Sequence, residues 1–175
     1  MKQFLIVVDM QTDFVDGALG TPEAVAILPA VDARIRACRE AGATVIATLD
    51  THGENYLQSA EGQKLPVIHC VRNTEGWQLH PAVREALAGC LTVEKPTFGS
   101  VRLPEIIRDL AAEDAFSIEL IGLCTDICVV SNALLLKANF PEIPISVRAS
   151  CCAGVTPEKH EAALETMRSC QIDIA

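Results

Sequence analysis

Clusters of basic residues are missing from this 175-residue chain: 14 Lys and Arg stand against 23 Asp and Glu, for a formal net charge of −9. Phosphate backbones are bound by grouped Lys and Arg, so nucleic acid is excluded as a partner and a small ligand is favoured. No run is long and apolar enough to span a bilayer. The apolar start Phe4-Leu5-Ile6-Val7-Val8 ends at once in Asp9, too short for the core of an export signal, and a cytoplasmic location without membrane contact is expected. Low-complexity and Pro/Gly-rich stretches are also lacking, while 50% of residues are hydrophobic and 21% charged. That composition belongs to an ordered globule, and the length suits a single domain over residues 1–175. The absence of Gly-x-Gly-x-x-Gly and of a P-loop removes the usual phosphate cradle of nucleotide binders. The absence of Cys-x-x-Cys weakens a thiol-redox reading.

Cysteine is plentiful, with eight in the chain. Without an export signal, and with enough apolar residues to fold unaided, the thiols are expected to be reduced rather than paired. Cys38, Cys90 and Cys170 fall inside apolar patterns and are expected in the core. The pair Cys151-Cys152 reads either way.

Continuous apolar runs rich in β-branched residues predict strands buried on both faces: Phe4–Val8, Ala43–Leu49, Leu91–Val93, Phe116–Ile121, Ile143–Val147 and a short Gln171–Ile174. Helical patterns alternate with them over Pro22–Ala41, Pro81–Ala88, Leu103–Ala112, Thr125–Ala138 and Pro157–Ser169. Thr21-Pro22 and Thr156-Pro157 each place a capping hydroxyl before a proline at the first helical position. Such alternation predicts a three-layer α/β/α sandwich around a mainly parallel, doubly wound, Rossmann-like sheet of six strands, with ligands bound beyond the strands' carboxyl ends. The one long connection, Asp50–Leu79, follows no single period, and long structured loops often serve function.

Three chemically loaded residues stand at strand ends. Asp9 closes the first run, Lys95 follows Leu91-Thr92-Val93-Glu94, and Cys128 lies in Gly122-Leu123-Cys124-Thr125-Asp126-Ile127-Cys128-Val129, where a strand gives way to a helix. A helix N-terminus and a nearby cation both favour thiolate, the attacking form. Taken singly, Asp9 reads equally as a turn residue, Lys95 as a solvated loop lysine, and Cys124 or Cys128 as a buried apolar thiol.

Together, Val8-Asp9-Met10-Gln11-Thr12-Asp13-Phe14, Lys95 and Gly122–Val129 resemble the three signature segments of the isochorismatase-like cysteine hydrolases, the family that includes nicotinamidase. The match runs in order over nearly the whole chain. It implies Cys128 as nucleophile, Asp9 as the proton-transferring carboxylate and Lys95 as the cation that stabilises thiolate and orients the acid. It also implies a cis peptide bond before Cys124, with the N–H groups of Cys124 and Cys128 forming an oxyanion hole. In the long loop the resemblance to metal-dependent nicotinamidases implies Asp50, His52, Glu61 and His69 as ligands of a divalent metal, zinc first, with manganese or iron as alternatives; Glu54 competes with Glu61. His80 and His160 lack such company and read as structural or solvated.

The resemblance implies amide hydrolysis through a thioester on Cys128, with nicotinamide as the favoured substrate and another small amide or a carbamoyl compound as the alternative. A flavodoxin-like binding protein or a thiol-redox protein is the reading from a different class. Leu65-Pro66-Val67-Ile68 supplies no aromatic shortly before the last metal ligand, so Phe14, Tyr56 and Phe98 are the candidate walls of the substrate pocket. Similar enzymes often self-associate, and a homo-oligomer is expected.

Overall fold

A computed structural model describes all 175 residues. Six parallel strands form one sheet in the order β3-β2-β1-β4-β5-β6: β1 Lys2–Val8, β2 Thr44–Asp50, β3 Leu91–Lys95, β4 Phe116–Leu123, β5 Ile145–Ala153 and β6 Asp173–Ile174. The helices are α1 Thr12–Val15, α2 Pro22–Ala26, α3 Leu28–Glu40, α4 Ala60–Lys64, α5 Pro81–Arg84, α6 Leu103–Ala111, α7 Val130–Asn139 and α8 Pro157–Ser169. The expected doubly wound sandwich is therefore the fold. None of the helices is long and apolar enough to cross a membrane.

Strand β1 shows why its apolar run is continuous. Phe4, Ile6 and Val8 point into a core with Leu103, Ile107 and Ala111 of α6, Ala133 and Leu136 of α7, and Leu164 and Met167 of α8. Leu5 and Val7 point the other way, against Val31, Ile35 and Cys38 of α3, Val83 of α5 and Phe14 of α1. Alternate side chains leave a strand on opposite faces, so two helical layers demand apolar residues at every position. Burying each side chain contributes roughly 1.5–3 kcal/mol.

The chain winds outward from β1 in both directions, so the topological switch lies between β1 and β4. The two strands run in register from Lys2↔Phe116 to Val8↔Gly122. Gly122 has φ +117, and a Cβ there would fall on the Val8 carbonyl oxygen. Only glycine lets the backbones approach so closely at the point where the site begins.

Three local expectations are corrected. The helix expected over Pro22–Ala41 is two helices that meet at Ile27, because Pro29 has no N–H for the carbonyl one turn earlier. The segment starting at Thr125 opens as a π-type turn, with Val129 N–H donating to Cys124 O at 3.0 Å, before α7 begins at Val130. Cys170 is exposed at the end of α8, and Cys90 is only half-buried; Ile172 takes the core position that Cys170 was expected to fill. Both threonine caps form, Thr21 accepting from Ala24 N–H at 3.0 Å and Thr156 from Lys159 N–H at 3.3 Å.

Candidate active site

Strand ends bring the loaded residues together. Asp9 follows β1, Asp50 ends β2, Lys95 ends β3 and Cys124 follows β4, all at the carboxyl edge on either side of the switch. Asp9 is fully buried and Lys95 and Cys128 are 1% and 4% exposed. Lys95 Nζ lies 2.6 Å from Asp9 Oδ2, 3.2 Å from Asp50 Oδ1 and 3.4 Å from Cys128 Sγ. The lysine thus sits at the hub of two carboxylates and the thiol. Thr48 Oγ1 donates to Asp9 Oδ1 at 2.6 Å, fixing the other oxygen toward the lysine. Asp9 itself has φ 48, a left-handed conformation that Asp adopts more readily than most residues and that turns the chain into the loop.

Burial dominates the electrostatics. It pushes the Asp9 carboxyl upward against the pull of Lys95. It also pushes the Cys128 thiol well above its ordinary value, with Asp9 adding to the rise and Lys95 opposing it. Burial and the Asp9 charge thus favour the neutral thiol, and Lys95 favours the thiolate. Lys95 stays protonated: burial acts against the charge, but Asp9, Cys128 and Asp50 outweigh it.

The turn around Cys128 is held from several sides. Asn132, fully buried, donates to Cys128 O at 2.8 Å and accepts from Ser100 N–H at 2.9 Å, tying the Cys128 turn to the loop that carries Phe98. His160 Nδ1 meets Thr125 Oγ1 at 2.8 Å. Its part is structural, as expected; His80, which caps α5, plays the same kind of part. The Leu123–Cys124 peptide bond is cis, as the resemblance implies. The Cys124 N–H makes no backbone hydrogen bond and is free for a ligand oxygen.

The long loop folds back on itself to build a second cluster. His52 N–H donates to Cys70 O at 2.9 Å and Arg72 N–H to His52 O at 3.0 Å, so the returning strand-like segment lays His69 beside His52. Asp13 accepts from Cys70 N–H at 2.7 Å, and buried Gln11 donates to Asp50 O and accepts from Asp50 N–H, both at 2.8 Å. The result places one donor atom each from Asp50, His52, Glu61 and His69 within 4.8 Å of one another. Glu54 is exposed and outside the group. His69 Nδ1 hydrogen-bonds Val67 O at 2.8 Å, which as an N–H donor turns the Nε2 lone pair toward the carboxylates. Two imidazole nitrogens and two carboxylate oxygens converging without an apolar filler suit a divalent cation.

A cavity of about 260 Å³ opens onto both clusters, lined by Cys124, Cys128, Asp50, Glu61 and His69 among others. Phe14 and Phe98 stand in its wall. Tyr56 does not: its ring packs 4.7 Å from that of His52 and 4.9 Å from that of His69, with its hydroxyl donating to Leu65 O, so it braces the imidazoles from behind. Sequence reasoning missed Leu19, Leu65, Ile127, Val155 and Lys159 as lining residues; Ile127 sits inside a signature segment, but no local pattern marks any of the five as facing the cavity, and they converge only in the fold.

Comparison with known proteins agrees with this geometry. The sequence profile of the isochorismatase domain matches residues 3–175. The nicotinamidase of Escherichia coli K12 is 30% identical over 91% of this chain and 86% of its own length. The pyrazinamidase of Pyrococcus horikoshii, solved in complex with zinc, superposes with a TM-score of 0.85 at 31% identity, covering 100% of this chain and 99% of that one. The nicotinamidase of Bacillus subtilis superposes with a TM-score of 0.84 at 26% identity over 100% and 99%. With the fold, the strand-end cluster and these likenesses in agreement, the chain belongs to the isochorismatase family and is one of its hydrolases.

Proposed function

We propose that the chain is a nicotinamidase-like amidohydrolase, converting nicotinamide and water to nicotinate and ammonia through a thioester on Cys128. The carrying observation is the buried contact of Lys95 Nζ with both Asp9, at 2.6 Å, and Cys128 Sγ, at 3.4 Å, at the floor of a small cavity. In this reading Asp9 takes the thiol proton as the sulfur attacks the amide carbonyl, so thiolate exists only when it is needed. The oxyanion is received by the N–H groups of Cys124 and Cys128, worth about 3 kcal/mol per donor in comparable hydrolases. Protonated Asp9 returns its proton to the departing ammonia. It then deprotonates a water that cleaves the thioester, releasing nicotinate and the thiol. Lys95 keeps Asp9 oriented and its charge balanced throughout.

Asp50, His52, Glu61 and His69 would hold the divalent metal, zinc by likeness to the zinc-bound archaeal relative. A metal there supplies a Lewis acid able to take a pyridine nitrogen. Phe14 and Phe98 line the same cavity as that cluster and the sulfur, and aromatic walls suit a flat ring. Eight free thiols suit an enzyme of the reducing cytoplasm. The test is ammonia release from nicotinamide by wild type and Cys128→Ala, with bound metal quantified. Activity lost with metal retained is expected; an active Cys128→Ala overturns the reading.

A further inference from the structure

One charged group of the cavity has no part in that chemistry. Lys159, in the first turn of α8, lines the same cavity as Cys128 and is exposed. Its ammonium enters none of the chain's ion pairs or side-chain hydrogen bonds; only its backbone N–H is engaged, by Thr156. Asp126, which shares an adjoining groove with it, accepts from the Val155 N–H through Oδ1 at 2.9 Å and forms no ion pair with the lysine. Apart from the thiols Cys124 and Cys128, the other ionisable lining groups are Asp50, Glu61 and His69, which are engaged with one another in the candidate metal cluster. The rest of the wall includes the apolar Leu19, Ile127 and Val155. A lysine stem lies along apolar surface while its head stays free for a polar partner. A substrate seated on Cys128 therefore meets one uncommitted charge in this cavity, and it is positive.

We propose that Lys159 is a specificity-determining residue, pairing with an anionic group carried by the substrate at the end away from the scissile carbonyl, so that small amides bearing a carboxylate are preferred over their neutral counterparts. The inference rests on the amidohydrolase reading and narrows its substrate class. The bond chemistry is unchanged: the amide C–N bond breaks, the oxygen of water joins the acyl carbon, and ammonia leaves with the protons. Nicotinamide, which carries no such group, leaves Lys159 unused.

The test uses the metal-loaded enzyme and a matched pair of amides, isophthalamide and 3-carbamoylbenzoate, with nicotinamide alongside, and reads kcat and KM from ammonia release. Wild type is expected to favour the anionic member, through KM. Lys159→Met should lower the anionic-to-neutral ratio of kcat/KM by about 5-fold, the scale of a partly exposed ion pair. Lys159→Glu should lower it further, and Lys159→Arg should keep it. Raising salt from roughly 0.05 to 0.5 M should erode the wild-type preference, because exposed charges are screened. A wild type that does not favour the anionic member, or a ratio unmoved by Lys159→Glu, overturns the inference while nicotinamide turnover leaves the amidohydrolase reading standing. A wild type that releases ammonia from none of the three overturns both.

Discussion

Replacing Asp9 by asparagine separates two effects of one carboxylate on the neighbouring sulfur. In the native site the Asp9 charge helps keep the Cys128 proton on, while Lys95 works to remove it. A unit charge about 4 Å away contributes about 4 kcal/mol at an effective dielectric near 20, so cancelling the Asp9 charge removes the largest charge opposing the lysine, while burial and Asp50 continue to hold the proton on. Asp9→Asn should therefore lower the thiol's pKa and speed alkylation by iodoacetamide near pH 7. In the proposed mechanism the same change removes the group that accepts the proton during attack and returns it to ammonia, so turnover should fall by roughly 10²–10⁴. The amide keeps the bond to Thr48, and Lys95 keeps Asp50 at 3.2 Å. The stability cost should then be about 3 kcal/mol, the low end for breaking a buried pair. Alkylation rate, steady-state turnover and a urea melt on one preparation read all three. Slower alkylation together with near-native turnover would refute the assignment of Asp9 as the proton carrier.

Removing His69, whose Nε2 lies 3.6 Å from Asp50 Oδ2 and 3.7 Å from Glu61 Oε1, should cut metal affinity by at least about 100-fold, measured by competition with a chelator; unchanged affinity would exclude it as a ligand. Glu119 is gripped by Arg34 at 2.7 Å and Arg148 at 3.0 Å; burial raises its pKa, but the two arginines outweigh this and hold it below the ordinary glutamate value. With the folded pKa depressed, its contribution is complete above the unfolded pKa near 4.3 and fades as pH falls through the folded value. Glu119→Gln should cost about 2 kcal/mol at pH 7 and should flatten the urea midpoint's fall between pH 5 and 3. Gly122→Ala places a methyl on the Val8 carbonyl at a left-handed φ, and should destabilise the chain by more than about 4 kcal/mol, read as loss of cooperative unfolding.

Much of the fold was legible because burial on two faces leaves a simple mark: β1 carries the unbroken buried apolar run Phe4–Val8, and β2 and β4 carry Val45-Ile46-Ala47 and Leu120-Ile121. Asp9, Lys95 and Cys128 were legible as a candidate group because Asp9 follows β1, Lys95 closes β3 and Cys128 sits in the turn after β4. What the sequence hid depends on contacts between distant segments. The return of the loop that sets His69 against His52 rests on backbone bonds between residues 52, 70 and 72, which no local period encodes. Tyr56 looked like a pocket aromatic but stands behind the imidazoles, and nothing in the local sequence marks Lys159 as a cavity residue. The rise of the Cys128 pKa was hidden for the same reason, since helix field and cation could be read from the chain but near-complete burial could not.

The most direct measurement is rapid-quench mass spectrometry of the intact protein during turnover of nicotinamide, followed by peptide mapping. A nicotinoyl adduct on Cys128 that forms and decays at rates consistent with kcat, and is absent from Cys128→Ala, is the predicted result. Full turnover with no acyl adduct, or an adduct on another cysteine, would contradict the account.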